Sequence, residues 1–531
     1  MIKNKIIQIN NGKIKGIKEG KNLKFFSIPY ATCNRFSLPL SLKPWKTTLD
    51  CTKYRNDAFQ HSDNNINQSE DCLNLSIWTS ENKEKKKLPV FVWIHGGGFA
   101  IKGPNQEICN GEYLMRKDIV VVCINYRLNA FGFYANEQTQ SQALNDKEQK
   151  LYWKDKTKKT VTTTPNNNPI YTNGNWGLCD QVKALQWIKQ NIRHFNGDPS
   201  NITVGGESAG SFSVSNLLFS PVAFPINQSD KKPLFQKAIM ESGCLWNCPS
   251  NEQKISICKK IDEKINKKDP TPEDYVNATV FCWDMIKKEQ YDFKKYSPLG
   301  PSADEWMVVD NWKERIKNNT FNPVPLLLGW NENEGLLFSS CDSTKDMKET
   351  NDIGSYQHFI NERLFQFKNK DEYSNMKKIM NKEKLTDLLY DKKANLLQCQ
   401  KIITLYFSTP MVFLSQLFSS KKIPVYLYNF CYKSSYPIKA PKTSTHTSEL
   451  PFVFNTIKFD SKEDSMMQKK IENNWLSFIK KGKVSDKRWK PFTLSNKKAI
   501  HFCNKQEGYV SFKPYLNFSY INMLIDNFFN K

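Results

Sequence analysis

A chain of 531 residues carrying a formal net charge of +24, most of it lysine, is long enough to bury a large core, and its plentiful apolar residues exclude a disordered chain. The lysines are scattered among asparagines and isoleucines, with no arginine-rich arm and no aromatic RNA-binding signature, so a soluble basic surface is expected and nucleic-acid binding is not. No apolar run approaches the ~18 residues a membrane-spanning helix needs.

The N-terminal stretch "MIKNKIIQINNGKIKG" lacks the continuous apolar segment of a secretory signal, so the chain is expected to be intracellular or to begin after processing. The run "ENKEKKKLP" (81–89) reads as a solvated loop. It leads into "LPVFVWIHGGGF" (88–99), a strand that runs into a glycine turn, and "DIVVVCINYR" (118–127) is a second buried strand. Residues 136–175 are polar and low in complexity, and they read as a disordered surface insertion. In "GLCDQVKALQWIKQNIRHF" (177–195), Leu178, Val182, Leu185, Ile188 and Ile192 recur near helical spacing. "NITVGGES" (201–208) is a strand that meets a turn at Ser208, and "AGSFSVSNLLF" opens a helix. Further strands are expected in 237–243, 323–330 and 423–432. Strand–helix alternation with apolar strands predicts an α/β fold, a large and mostly parallel sheet flanked by helices. No repeat and no clean boundary divides the chain, so one unit over 1–531 is expected, interrupted by the insertion.

Two stretches carry chemistry. "G-E-S-A-G" places Ser208 in the pattern G-x-S-x-G, between a strand and a helix. That is the setting of a nucleophile elbow, where close approach of sheet and helix demands small neighbours. "H-G-G-G-F" (95–99) also follows a strand, and its glycines let backbone N–H groups approach a developing oxyanion. Gly97 and Gly98, with the N–H of Ala209, are the expected oxyanion hole. A tight turn is the alternative for either stretch alone; together, in this order, they point to catalysis.

The chain resembles the type-B carboxylesterase/cholinesterase family of α/β hydrolases over nearly its whole length. "SEDCLNLSIW" (69–78), "WIHGGGF", "INYRLNAFGF" and "NWGLCDQVKALQWIKQNIRHFNGDPSNITVGGESAG" (175–210) carry the resemblance. It implies a triad in the order serine, acid, histidine. "GWNENEGLLF" (329–338) fits the acid's stretch and puts Glu334 there, with Glu332 the nearby competitor. "THTSELPFVF" (445–454) fits the histidine's stretch and puts His446 there. His95 is expected to support the glycine turn and His194 to end a helix. Structural ion pairs Arg35–Glu70 and Arg127–Asp180 are implied in the same way. So is a serine carboxylesterase that acts on small, uncharged esters through an acyl-enzyme, with no metal or cofactor.

The chain also departs from the family. Ala58 stands where the partner of Cys72 is expected, with Cys51 a few residues upstream as a substitute, and a second pair between Cys258 and Cys282 is implied. The 14 cysteines show no C-x-x-C pair and no Cys/His cluster at zinc spacing, so most read as buried fillers. The partly kept cysteine framework favours an oxidising compartment and the missing signal segment argues against one. Sequons at Asn67, Asn74, Asn227, Asn277, Asn318 and Asn517 permit glycosylation, although an Asn-rich chain produces them by chance. "FQHSDNNINQSEDC" holds no tryptophan to receive a quaternary ammonium, which disfavours choline esters. Trp306, Met307, Leu337 and Phe338 are acyl-pocket candidates, with core packing an equal explanation. Thr447, where the family often has glycine, departs beside His446. The resemblance leaves a homo-oligomer open. It also leaves a rival reading, a structural, storage or adhesion member with little physiological catalysis.

Overall fold

The structure, a computed structural model, describes residues 2–61, 67–81, 87–137, 173–224, 233–244, 248–287, 300–304, 306–338, 396–435, 443–504 and 508–511. Its frame is one thirteen-stranded sheet. In chain order the strands are β1 (Ile2–Ile9), β2 (Gly12–Glu19), β3 (Asn22–Pro29), β4 (Leu49–Asp50), β5 (Asn74–Ser80), β6 (Leu88–Ile94) and β7 (Val120–Ile124). There follow β8 (Gly197–Glu207), β9 (Lys237–Glu241), β10 (Leu326–Asn331), β11 (Val425–Phe430), β12 (Lys498–Phe502) and β13 (Gly508–Ser511). Across the sheet the order is β1-β2-β3-β5-β7-β6-β8-β9-β10-β11-β12-β13, with β4 paired to β2.

The strands from β7 through β12 in that order are all parallel to their neighbours, and antiparallel strands extend the sheet at both edges. Sequence and burial agree on why. β6 and β7, "LPVFVWI" and "VVVCI", are buried almost throughout and read as unbroken apolar runs, as strands covered on both faces must. Within β2 and β3 burial alternates, because one face of that antiparallel edge meets water.

Helices cover both faces. Along β6, Val90, Val92 and Ile94 join one core cluster with Val214, Leu217 and Leu218 of the helix that follows β8, while Phe91 and Trp93 join a second with Ile471, Trp475 and Phe478 of the helix that precedes β12. The helices that matter to the site are α1 (Trp176–Asn191), α2 (Ala209–Phe219), α3 (Leu396–Ser420), α4 (Leu450–Phe454) and α5 (Lys462–Lys481). α1 buries Leu178, Val182, Leu185 and Ile188 as their spacing predicts; Ile192 opens a 3-10 turn that Asn196 ends in the left-handed conformation, φ 63°.

β6 lies between β7 and β8, so the chain leaves β6 in one direction and returns on its other side. Such a reversal opens a crevice at the carboxyl ends of the strands, where α/β sheets bind ligands. Ile94 pairs with Gly206, which sets the ends of β6 and β8 side by side.

Both expected ion pairs form. Arg127 donates from its backbone N, Nε and Nη2 to Asp180 at 3.1, 2.8 and 2.7 Å, fully buried, and ties the end of β7 to α1. Arg35 grips Glu70 through Nε and Nη2 in a half-exposed pair. Of the polar insertion, residues 138–172 lie outside the described residues; its neck is closed by Asn173 Nδ2 donating to the Asn136 carbonyl at 3.0 Å.

The cysteines require a correction. Cys51 and Cys72 are both buried free thiols, not a pair. Cys51 exchanges backbone bonds with Phe26 and Lys15, whereas Leu73, next to Cys72, bonds Tyr30. The two cysteines are thus tied to different points along the chain, one within β3 and one just past its end. Cys258 is also free, its Sγ accepting the Ala135 N–H at 3.3 Å; the Cys282 side chain lies outside the described residues. Among the described residues the disulfide joins Cys431 to Cys503, which the sequence leaves unpaired. Among the sequons, Asn74 is a buried β5 residue whose amide donates to Asn56 and Cys72, so it offers no acceptor for a glycan.

Candidate active site

β8 ends at Glu207 and α2 begins at Ala209, so Ser208 alone makes the turn. Its backbone stands at φ 54°, ψ −123°, a region costing about 1–3 kcal/mol for a residue with a side chain. The turn is held from both sides. Ser208 N–H donates to the Glu241 carbonyl, and the Ser208 carbonyl accepts from Phe212 N–H, each at 2.9 Å. A Cβ on Gly206 would come 2.5 Å from the Gly210 carbonyl carbon, and one on Gly210 would strike the Ile94 carbonyl oxygen. The two glycines of G-x-S-x-G are thus required by the distance between β6, β8 and α2.

The glycine turn after β6 lies against this elbow: a Cβ on Gly96 would sit 3.1 Å from Ser208 Cβ. Gly97 and Gly98 take φ +106° and +63°, and Gly97 packs on the Ile101 carbonyl. Neither glycine's N–H is engaged in a hydrogen bond among the described residues. Ala209 N–H sits at the first position of α2, where no intrahelical partner exists. His95 buttresses the turn as expected. Its ring stacks on Tyr126 at 4.5 Å, Tyr126 Oη donates to its carbonyl at 2.9 Å, and burial pushes its pKa down to about 4.

β10 runs into a 3-10 turn at Glu334–Phe338, and His446 lies in the loop before α4. The two segments are stitched together: Asn333 N–H donates to the Ser444 carbonyl at 2.9 Å, and Ser444 Oγ to the Tyr432 carbonyl at 2.6 Å. Thr447 takes the left-handed conformation at φ 73°, a region that glycine enters freely. Glu334, fully buried, places Oε2 2.6 Å from His446 Nδ1, and its Oε1 accepts from Asn331 N–H and Ser242 Oγ at 2.6 Å each. Glu332 is half-buried and bonds the Phe430 carbonyl through its N–H. His194 is exposed, 3.2 Å from Asn10.

Sequence reasoning missed what surrounds His446. Glu207, the variable residue of G-x-S-x-G, puts Oε1 2.9 Å from His446 Nε2, while Ser208 Oγ has no hydrogen bond among the described residues. Glu449, three residues after His446, accepts from Asn331 Nδ2 at 2.6 Å, and Glu241 accepts from Trp475 Nε1 at 2.6 Å. All of these carboxylates are buried. Burial opposes a charged His446, but Glu207 and Glu334 outweigh it and hold the imidazole well above its ordinary pKa. Burial, then Glu207 and Glu334, push Glu449 up to about 8; burial, then Glu449, push Glu241 well above the carboxylate range. The available signal was the charge itself, a glutamate inside each apolar motif.

A cavity of about 570 Å³ opens beside His446, lined among others by Ile108, Phe430, Tyr432, Pro451 and Phe452. Trp306 and Met307 lie in the main core cluster and are not among its lining residues. Leu337 and Phe338 belong to the 3-10 turn, and their side chains lie outside the described residues.

The family model described as the carboxylesterase family matches residues 3–153 and 168–517. The interval it skips falls inside the polar insertion. The chain is 29% identical to para-nitrobenzyl esterase of Bacillus subtilis over 90% of each chain. It is 27% identical to carboxylesterase 1D of Rattus norvegicus over 86% of this chain and 81% of that protein. Among solved structures, a PNB esterase superposes with TM-score 0.69 at 25% identity, over 94% of this chain and 96% of its own. A carboxylesterase of Geobacillus stearothermophilus superposes with TM-score 0.70 at 24% identity, over 94% and 96%, and that likeness bears on the fold.

Proposed function

Because the chain belongs to the carboxylesterase family and hydrolyses carboxylic esters, we propose that it does so through an acyl-enzyme on Ser208, with uncharged small-molecule esters as substrates. The observation that supports this most is His446 held between Glu334, 2.6 Å from its Nδ1, and Glu207, 2.9 Å from its Nε2 and next in the chain to the strained turn at Ser208. For reaction, His446 Nε2 turns from Glu207 to Ser208 Oγ and takes its proton as Oγ attacks the ester carbonyl. Glu334 accepts the Nδ1–H, which fixes the tautomer and stabilises the imidazolium. The N–H groups of Gly97, Gly98 and Ala209, with the N-terminus of α2 behind them, receive the oxyanion. His446 then protonates the leaving alkoxide, and water repeats the sequence on the acyl-enzyme. A structural or storage role is not favoured beside relatives that are esterases.

The test is hydrolysis of a short-chain p-nitrophenyl ester. Ser208→Ala should lower kcat by about 10⁴–10⁶ with the fold intact. Equal rates for the variant and the wild type would remove Ser208 from the mechanism.

A further inference from the structure

The Cys431–Cys503 pair does not stand alone. β11 and β12 are parallel neighbours in the register Asn429↔His501 and Phe430↔Phe502, and the Cys431 N–H continues the ladder to the Phe502 carbonyl at 3.0 Å. Side chains alternate along a strand. Tyr428, Phe430, Ile500 and Phe502 therefore enter one core cluster, and His501 and Cys503 share the opposite face with Cys431. The two sulfurs and an imidazole nitrogen of His501 lie within 4.8 Å of one another. The His501 ring has no hydrogen bond among the described residues, and it and Cys503 are half-buried, within reach of solvent. Nine other described cysteines are free thiols, so among the described residues this pair belongs to no wider disulfide framework.

We infer that Cys431, Cys503 and His501 form a site for a borderline-soft divalent cation, zinc foremost, which exists when the disulfide is open and is excluded when it is closed. Two thiolates and one imidazole are the donor set that zinc prefers, and water takes the fourth position. Zn–S and Zn–N bonds of about 2.3 and 2.0 Å put the ligand atoms about 3.5–4 Å apart, so once the bond is open the two sulfurs part by roughly 2 Å through rotation of their side chains, while the His501 nitrogen, already within 4.8 Å of both, closes by at most about 1 Å. The exchange balances. Two molecules of a thiol reductant, RSH, open the bond to give two cysteine thiols and RSSR. The cation then displaces both thiol protons as the two metal–thiolate bonds form. The ligands come from strand ends far apart in sequence, which is why no zinc spacing is visible there.

The experiment is a Co²⁺ titration of the full chain, reduced by a phosphine and freed of it without oxygen, against the oxidised chain. The reduced wild type should take up one equivalent with a thiolate-to-cobalt charge-transfer band. The oxidised chain should show none, Cys503→Ser should lose the band, and His501→Ala should shift and weaken it. The inference falls if the reduced wild type shows no band, or if the oxidised chain or Cys503→Ser shows an equal one. The comparison of oxidised with reduced wild type needs no variant to fold.

Discussion

Gly210→Ala separates two physical effects of opposite sign. Gly210 is the second residue of α2, and in an ordinary helix alanine stabilises over glycine by about 1 kcal/mol. Here the added Cβ would strike the Ile94 carbonyl oxygen and lie 2.8 Å from its carbon and 3.0 Å from the His95 carbonyl oxygen. These are backbone atoms at the end of β6 and cannot rotate away. Relief requires α2 or the glycine turn to move by about 1 Å, at an overpacking cost of about 1–3 kcal/mol. The same movement displaces Ser208 relative to Gly97 and Gly98, and a misplacement of about 1 Å costs roughly 10²-fold in rate. For a chain of this length the unfolding entropy is about 1.1 kcal/mol/K, so a net loss of about 2 kcal/mol lowers Tm by about 2 °C. Calorimetry and kcat/KM on a p-nitrophenyl ester measure both. A raised Tm with unchanged kcat/KM would show that helix propensity wins and that the contact between β6 and α2 is not tight.

Glu207→Gln removes one of the two carboxylates that raise the pKa of His446. With the neutral imidazole of His446 as the proposed base, wild-type activity should be lost as pH falls through that raised value. The acid limb of kcat/KM in the variant should move to lower pH, and an unmoved limb would dismiss Glu207 as its cause. Arg127→Met leaves Asp180 buried and uncompensated and should cost about 3–5 kcal/mol, or ~3–4 °C in Tm by calorimetry, while Arg127→Met with Asp180→Leu should recover most of it. Alkylation in denaturant without reductant, followed by peptide mapping, should modify Cys51, Cys72 and Cys258 and recover Cys431 and Cys503 in one linked species.

What was legible in the sequence follows the range of the forces involved. The elbow is local: Gly206 and Gly210 are small because the strand and helix that flank Ser208 also enclose it. β6 and β7 were legible because burial on both faces leaves an unbroken apolar run. Glu334 and His446 came from resemblance, since 112 residues separate them and no local pattern pairs them. Glu207, Glu241 and Glu449 stayed hidden because a glutamate is usually solvated, and only the packed structure shows them buried within electrostatic reach of one another, with Glu207 against the His446 imidazole. Cys431 and Cys503 meet because β11 and β12 are sheet neighbours, which pairing by chain distance does not reveal.

If one serine, Ser208 at the end of β8, is the reacting group, a reagent that phosphorylates active serines must find it alone. The most direct measurement is treatment of the chain with diethyl p-nitrophenyl phosphate, with p-nitrophenol release, residual activity and the modified peptide followed together. One equivalent should be released, activity should fall in proportion, and a single diethylphosphoryl group should be found on Ser208. Full inactivation with the label on another residue, or ester hydrolysis that persists with Ser208 fully labelled, would contradict it.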